Sequence, residues 1–276
     1  MDTALEEVQM QTERMLSGKH AVILGAGGDV GTAVAKEFSA QGATVFLSGR
    51  RLATIEQVAA DIQEDGGIAH AAEVDAVHEQ AVNAYLDRVV QEAGSIDIVF
   101  NAMGPPPKDY GNGTSTMELP LEQFLLPLTT LVPSQFITAR AAARHMVQQH
   151  SGVILFLTAI PARGLANATA IGSAFGAMES LLRCLAAELG PAGVRVVGIR
   201  SGAMVDSRII QQSVESTAHR LSMSKEQAVS MLAQPTLLKR LPTVADTARL
   251  AAFLASDGAR ALTGAIVNAS SGRVID

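Results

Sequence analysis

The stretch His20–Gly31, HAVILGAGGDVG, constrains the fold of this chain more than any other. Ala21, Val22, Ile23 and Leu24 form a short apolar run of the kind that becomes a buried strand. Glycines follow at 25, 27, 28 and 31, and a helical spacing begins with Val34, Ala35 and Phe38. A glycine-rich turn between strand and helix lets the backbone approach a pyrophosphate. The unpaired N–H groups of the helix start, with the positive end of its dipole, then hold the anion. The spacing reads as G-x-G-x-x-x-G or as G-x-x-G-x-x-G, and either is also compatible with a plain tight turn.

The remainder of the chain repeats the same alternation. Expected strands are Ala43–Leu47, Ile68–Val74, Ile96–Phe100, Val153–Thr158, Val194–Ile199 and Ala265–Asn268. Helices are expected over Leu52–Ile62, Val77–Ala93, Leu121–Gln149, Ser173–Leu189 and Val244–Ala255, with amphipathic pieces at Ser207–Ser216 and Lys225–Leu232. Pro127 and Pro133 should bend or interrupt the first half of the long helix. About seven short apolar strands separated by helices predict an α/β fold: a Rossmann-type, doubly wound parallel sheet with helices on both faces. Its ligand belongs at the carboxyl ends of the strands, where the sheet order reverses.

Length and composition agree with one large core. The chain has 276 residues, 48% hydrophobic and only 17% charged. We divide it into an N-terminal helical extension, 1–18, and a single dinucleotide-binding domain, 19–276. Leu5, Val8, Thr12, Met15 and Leu16 fall near one helical face of the extension, and with three glutamates and no cationic start followed by an apolar run it is not expected to be a signal peptide. A net charge of −6 gives no reason to expect nucleic acid or an anionic membrane as partner. The longest apolar run, Val153–Leu157, is too short to cross a bilayer. Cys184, the one cysteine, fits an apolar helical pattern and is expected in the core, consistent with a cytoplasmic location. Six scattered histidines lack ligand spacing, so no metal is expected.

The end of the second strand bears on which dinucleotide. NAD-binding proteins usually place a carboxylate there for the ribose hydroxyls. Here the residues are Ser48, Gly49, Arg50 and Arg51. Paired guanidiniums suit the 2′-phosphate of NADP(H) better than the bare ribose of NAD(H). The plainer alternative is two solvated arginines opening a surface helix.

Several segments together resemble the short-chain dehydrogenase/reductase family over roughly residues 19–272. GAGGDVG is similar to its glycine loop, with Asp29 where many members have glycine, and SGRR to the end of its second strand. Asp75–Ala76 stands where members set Asp-Val against the adenine. IDIVFNAMG keeps Asn101 and Gly104 of the Asn-Asn-Ala-Gly strand end, with Ala102 and Met103 between. Ser201–Gly202 replaces Pro-Gly, and the tail from Leu238 resembles the last helix and strand. The resemblance implies cofactor contacts at Gly25, Gly27, Gly28, Asp29, Val30, Gly31, Arg50, Arg51, Asp75, Ala76, Asn101, Ala102, Gly104, Thr158, Ser201 and Gly202. It also implies a small-molecule substrate and a homodimer or homotetramer formed through the two long helices. Their alanines (139, 141, 142, 143, 177, 186 and 187) would suit close helix contact, or equally the sheet of the same chain.

The family's catalytic side chains do not carry over. Its serine aligns with Ala159, its tyrosine with Gly172, its lysine with Gly176 and its relay asparagine with a place near Leu131. Two glycines four apart each cost a helix about 1 kcal/mol relative to alanine, and they leave a helical face without side chains. The candidates to replace the lost groups are Thr158 beside the serine position, Ser173, and Tyr110 near Lys108. Ser173 doubles as an expected helix cap. Arg163 and Asn167 are expected to border the substrate. Two functions follow: an NADP(H)-dependent oxidoreductase with a non-standard site, acting on an activated carbonyl, enone or imine, or a dinucleotide-binding regulatory or structural subunit without turnover.

Overall fold

The computed structural model describes residues 14–275. Seven strands form one parallel sheet: β1 (His20–Leu24), β2 (Thr44–Gly49), β3 (Ile68–Glu73), β4 (Ile98–Asn101), β5 (Gly152–Ala159), β6 (Val194–Ser201) and β7 (Ile266–Ala269). Their order is β3-β2-β1-β4-β5-β6-β7, so the direction of winding reverses between β1 and β4. The helices are α1 (Asp29–Ala40), α2 (Leu52–Glu64), α3 (Glu79–Ala93), α4 (Leu121–Gln149), α5 (Thr169–Leu189), α6 (Arg208–Leu221), α7 (Lys225–Ala233) and α8 (Val244–Ala255).

The sheet is covered on both faces, which is why its strands are apolar without alternation. In β1, Ala21 and Ile23 pack with Phe38, Ile55 and Ala251, in the layer of α1, α2 and α8. Val22 and Leu24 pack on the other side with Leu86, Ala142 and Met178, in the layer of α3, α4 and α5. Burying a large apolar side chain contributes about 1.5–3 kcal/mol, so the two layers hold each strand from both sides. Helices α6 and α7 stand apart, sharing a small core of Val214, Ala218 and Ala228.

All seven expected strands are present, most of them shifted by one or two residues at an end. Three details differ from expectation. Helix α4 runs without interruption through Pro127 and Pro133. Each proline withholds a single N–H, and the Thr129 and Thr130 hydroxyls donate to the Leu125 and Leu126 carbonyls in the same stretch (3.0 and 2.6 Å). Helix α5 starts at Thr169, so Ser173 lies inside it and does not cap it. Cys184 is exposed on α5, not in the core, because the buried face of that helix is taken by Met178, Leu182 and Leu185. Of the alanines, 139, 141, 142, 143 and 186 are buried within this single chain. The expected N-terminal helix falls mostly outside the described residues. Residues 14–18 form a turn whose Leu16 is fully buried. By length and composition α5 could cross a membrane, but its apolar face packs on the sheet and on α4.

Candidate functional site

The crevice lies where the sheet order reverses, between the carboxyl ends of β1 and β4. Gly25 leaves β1 with φ of 73°, and a side chain there would put Cβ 2.7 Å from the Met103 nitrogen after β4. At Gly31 a Cβ would run into the Gly25 carbonyl oxygen. These two positions let the turn fold tightly under the start of α1. The first α-helical bond there is Thr32 N–H to Gly28 carbonyl (2.8 Å). The N–H groups of Asp29, Val30 and Gly31 therefore precede the helix's own bonding and face its amino end. A cradle closed to a Cβ at positions 25 and 31 and lined by first-turn N–H groups fits a dinucleotide pyrophosphate.

β2 delivers the next residues to the same edge. Ala26 N–H donates to the Ser48 carbonyl (3.0 Å), and Gly27 packs against Thr54 and Ile55 at the start of α2. Arg50 and Arg51 are therefore exposed beside the glycine turn, with no ion-pair partner among the described residues. Val74 N–H donates to the Gly49 carbonyl (3.1 Å), which sets Asp75 and the buried Ala76 just beyond. Asp75 accepts from Val77 N–H (3.3 Å) and lies 3.6 Å from His78.

At the end of β4 the Asn101 side chain turns inward. Its Nδ2 donates to the Ser134 and Thr138 hydroxyls of α4 (2.8 and 3.0 Å), and its Oδ1 accepts from Met103 N–H (2.9 Å). Asn101 thus shapes the crevice wall by pinning β4 to α4. Ala102 N–H continues the sheet to the Leu24 carbonyl (2.9 Å), and Gly104 is exposed above Leu131. Across the sheet, Ser201 donates to the Thr158 carbonyl (3.2 Å) and Gly202 N–H to the Ala269 carbonyl (3.2 Å).

Position 159 ends β5, and positions 172 and 176 lie on the first two turns of α5. They are not equally open. A Cβ at Gly172 would sit 2.8 Å from the Pro161 carbonyl oxygen, so that face is filled by the 160–163 turn. At Gly176 nothing lies within 4 Å, and the open space belongs to this residue alone.

The three candidate side chains are held elsewhere. Thr158 Oγ1 donates to Glu179 Oε1 (3.0 Å), with a second contact to the Ile199 carbonyl at 3.5 Å. Ser173 is on the exposed side of α5. Tyr110 is buried in the core layer of α4, and that burial pushes its phenol up to about 12. Lys108 is exposed whereas the Tyr110 side chain is buried. Asn167 adopts a left-handed φ of 59°, and its carbonyl accepts from Gly113 N–H (2.8 Å). With Thr116 and Thr169 sharing a hydroxyl contact of 2.6 Å, this stitches the loop after β4 to the start of α5. Arg163 is exposed on the 160–163 turn.

Two ion pairs escaped the sequence reading. Arg200, on β6, donates through Nε and Nη2 to the two oxygens of Glu179, both at 2.8 Å and both residues buried. Arg208, the first residue of α6, donates its backbone N–H and Nε to the two oxygens of Asp29 (2.8 and 2.6 Å). The first pair leaves a trace in the sequence, since each charge stands alone in an apolar run. The second joins residues 179 positions apart, and no local pattern records it.

Comparison with known proteins agrees with this arrangement. Residues 25–273 match the family described as enoyl-(acyl carrier protein) reductase. The chain belongs to the short-chain dehydrogenase/reductase family. It is 32% identical over 260 residues to the 7alpha-hydroxysteroid dehydrogenase of Escherichia coli, covering 94% of this chain and 95% of that protein. It is 29% identical over 253 residues to the short-chain reductase protein NovJ of Streptomyces niveus, covering 92% and 93%. Among solved structures, NAD+-bound xylitol dehydrogenase superposes with a TM-score of 0.85 at 26% identity, covering 93% and 99%. The 7alpha-hydroxysteroid dehydrogenase complexed with NADH and 7-oxo glycochenodeoxycholic acid gives 0.81 at 29%, covering 96% and 97%. Membership makes this short-chain dehydrogenase/reductase an oxidoreductase of small molecules by family, with a seven-stranded sheet like that of its neighbours.

Proposed function

We propose that this chain is an NADP(H)-dependent oxidoreductase whose site works without the serine, tyrosine and lysine of its family. The observation that carries the reading is that Gly176, at the family's lysine position, has no atom within 4 Å of where a side chain would start, in a chain that keeps the glycine turn of a phosphate cradle. In our assignment the first-turn amides of α1 hold the pyrophosphate, Arg50 and Arg51 take the 2′-phosphate, and Asp75 and Ala76 border the adenine. Ala102, Gly104, Ser201 and Gly202 line the side toward the substrate, and Asn101 and Thr158 serve from behind as structural supports. The dinucleotide, when bound, supplies the hydride chemistry.

The protein's own work is then to position and to exclude. A substrate lies against the bare face at Gly176, under the loop joined to α5 through Gly113, Asn167, Thr116 and Thr169. No acid among Thr158, Ser173 and Tyr110 is placed to donate a proton, so the substrates that suit the site need none from the protein. A conjugated enone, an imine in its protonated form or a quinone-like ring meets that condition, with solvent providing any later proton. The family's simple ketones do not, because an alkoxide forming at Ala159 finds no hydroxyl to receive it.

The test is loss of NADPH absorbance with purified protein and a panel of ketones, enones, imines and quinones. Turnover with the activated members only supports the reading. Tight NADPH binding with no turnover across the panel replaces it with the second function, a dinucleotide-binding regulatory subunit.

A further inference from the structure

The Asp29 carboxylate stands at the amino end of α1, where the glycine turn presents its free N–H groups to an anion. A carboxylate in that place repels a dinucleotide diphosphate as surely as the amides attract it. The structure shows what offsets it. Both oxygens of Asp29 are taken by Arg208, one by the backbone N–H and one by Nε. Asp29 thereby also sits at the amino end of α6, whose cap is Ser207. Two helix amino ends and one guanidinium converge on a single carboxylate.

We propose that Arg208 is the counter-ion that makes the glycine turn of this chain able to bind a dinucleotide, and that Asp29 is the residue it exists to neutralise. The proposal rests on the cofactor reading above. Because the pair spans two elements, neutralisation is present only while the α6–α7 flap is docked on the turn. The other polar ties of that end are Val205 N–H to the Pro242 carbonyl (3.0 Å), Val244 N–H to Asp206 (2.8 Å) and the Thr247 hydroxyl to the Met204 sulfur (3.4 Å). Dinucleotide affinity and flap position are therefore linked through one ion pair. The Arg208 side chain is well exposed, so the pair adds little to folding stability itself. Its effect is on binding, where an uncompensated like charge beside the diphosphate is costly.

Calorimetric titration of NADPH and NADH into wild type, Arg208→Ala, Asp29→Asn and the double variant separates the possibilities, with thermal melts to confirm that all four are folded. We expect Arg208→Ala to weaken NADPH binding by about tenfold or more, an energy near 1.4 kcal/mol or above. Asp29→Asn alone should bind as tightly as wild type or tighter. The double variant should return to within about threefold of wild type, since removing the charge removes the need for its partner. A double variant as weak as Arg208→Ala would overturn the proposal, because Arg208 would then act on the cofactor directly. Unchanged binding in Arg208→Ala, or a tenfold loss in Asp29→Asn alone, would overturn it as well. Wild type that takes up neither dinucleotide would overturn the cofactor reading itself, and the proposal with it.

Discussion

Glu179 and Arg200 meet as a two-armed ion pair between α5 and β6, with 2.8 Å at each contact and almost no exposure to water. Thr158 adds a third bond to the same carboxylate. Taking both charges out of water costs several kcal/mol, so the pair is poor evidence of stability, but breaking it leaves a buried charge alone. Glu179→Gln should therefore lower unfolding stability by about 3–5 kcal/mol, read from the denaturant midpoint. Glu179→Leu combined with Arg200→Met should recover most of that loss. A Glu179→Gln protein as stable as wild type would contradict the burial of the pair.

The glycine turn and the sheet around it were legible in the sequence because they are made of local pattern. A strand, four glycines and a helix start within twelve residues, and the Ser48–Arg51 end of β2 needs no tertiary information to be recognised. The substrate half was not. Gly172 and Gly176 look equivalent in sequence, yet one abuts the Pro161 carbonyl and the other is open, a difference made by a turn eleven residues upstream of Gly172. Thr158 and Tyr110 were reasonable candidates by type. Their hydroxyls were disqualified by Glu179 and by core burial, which depend on packing from other elements. Cys184 and Ser173 were misplaced because helical periodicity alone sets neither the starting residue of α5 nor which of its faces stays uncovered.

Arg50 and Arg51 predict the choice of dinucleotide. NADPH should bind about ten- to a hundredfold more tightly than NADH, the range of one or two charge-assisted bonds to a phosphate. Arg50→Glu should remove most of that preference and leave NADH affinity nearly unchanged. Equal affinities in wild type, measured by calorimetry, would remove the assignment.

Tyr110 predicts a silence. Burial disfavours its charged form and pushes the phenol up to about 12, so it stays protonated and does not titrate between about pH 6 and 9. Tyr110→Phe should leave the pH profile of turnover superimposable on that of wild type. A lost or shifted limb in the variant would restore Tyr110 as a proton donor.

Asp246 predicts an acid effect on α8. It closes a capping box with Thr243: its carboxylate accepts from Thr243 N–H (2.9 Å), and the Thr243 hydroxyl accepts from Asp246 N–H (3.1 Å). The Thr243 N–H bond leads the causes that hold this carboxyl at about 2, below its ordinary 3.8. A depressed folded-state value means stability that is present above pH 4 and lost as the pH falls toward 2. Asp246→Asn should cost about 1 kcal/mol at neutral pH. Its stability should fall less steeply than wild type's over that acid window. Parallel acid curves would contradict the cap.

The claim that matters most is turnover without the family's catalytic side chains. The direct measurement is NADPH oxidation by wild type and by the combined Ala159→Ser, Gly172→Tyr, Gly176→Lys variant, side by side on enones, imines, quinones and simple ketones. The account predicts that wild type oxidises NADPH with an activated substrate and that the triple variant does so no faster. A side chain at 172 must displace the Pro161 carbonyl, and a lysine at 176 fills the open face. A triple variant that outpaces wild type on the wild-type enzyme's best substrate would contradict it.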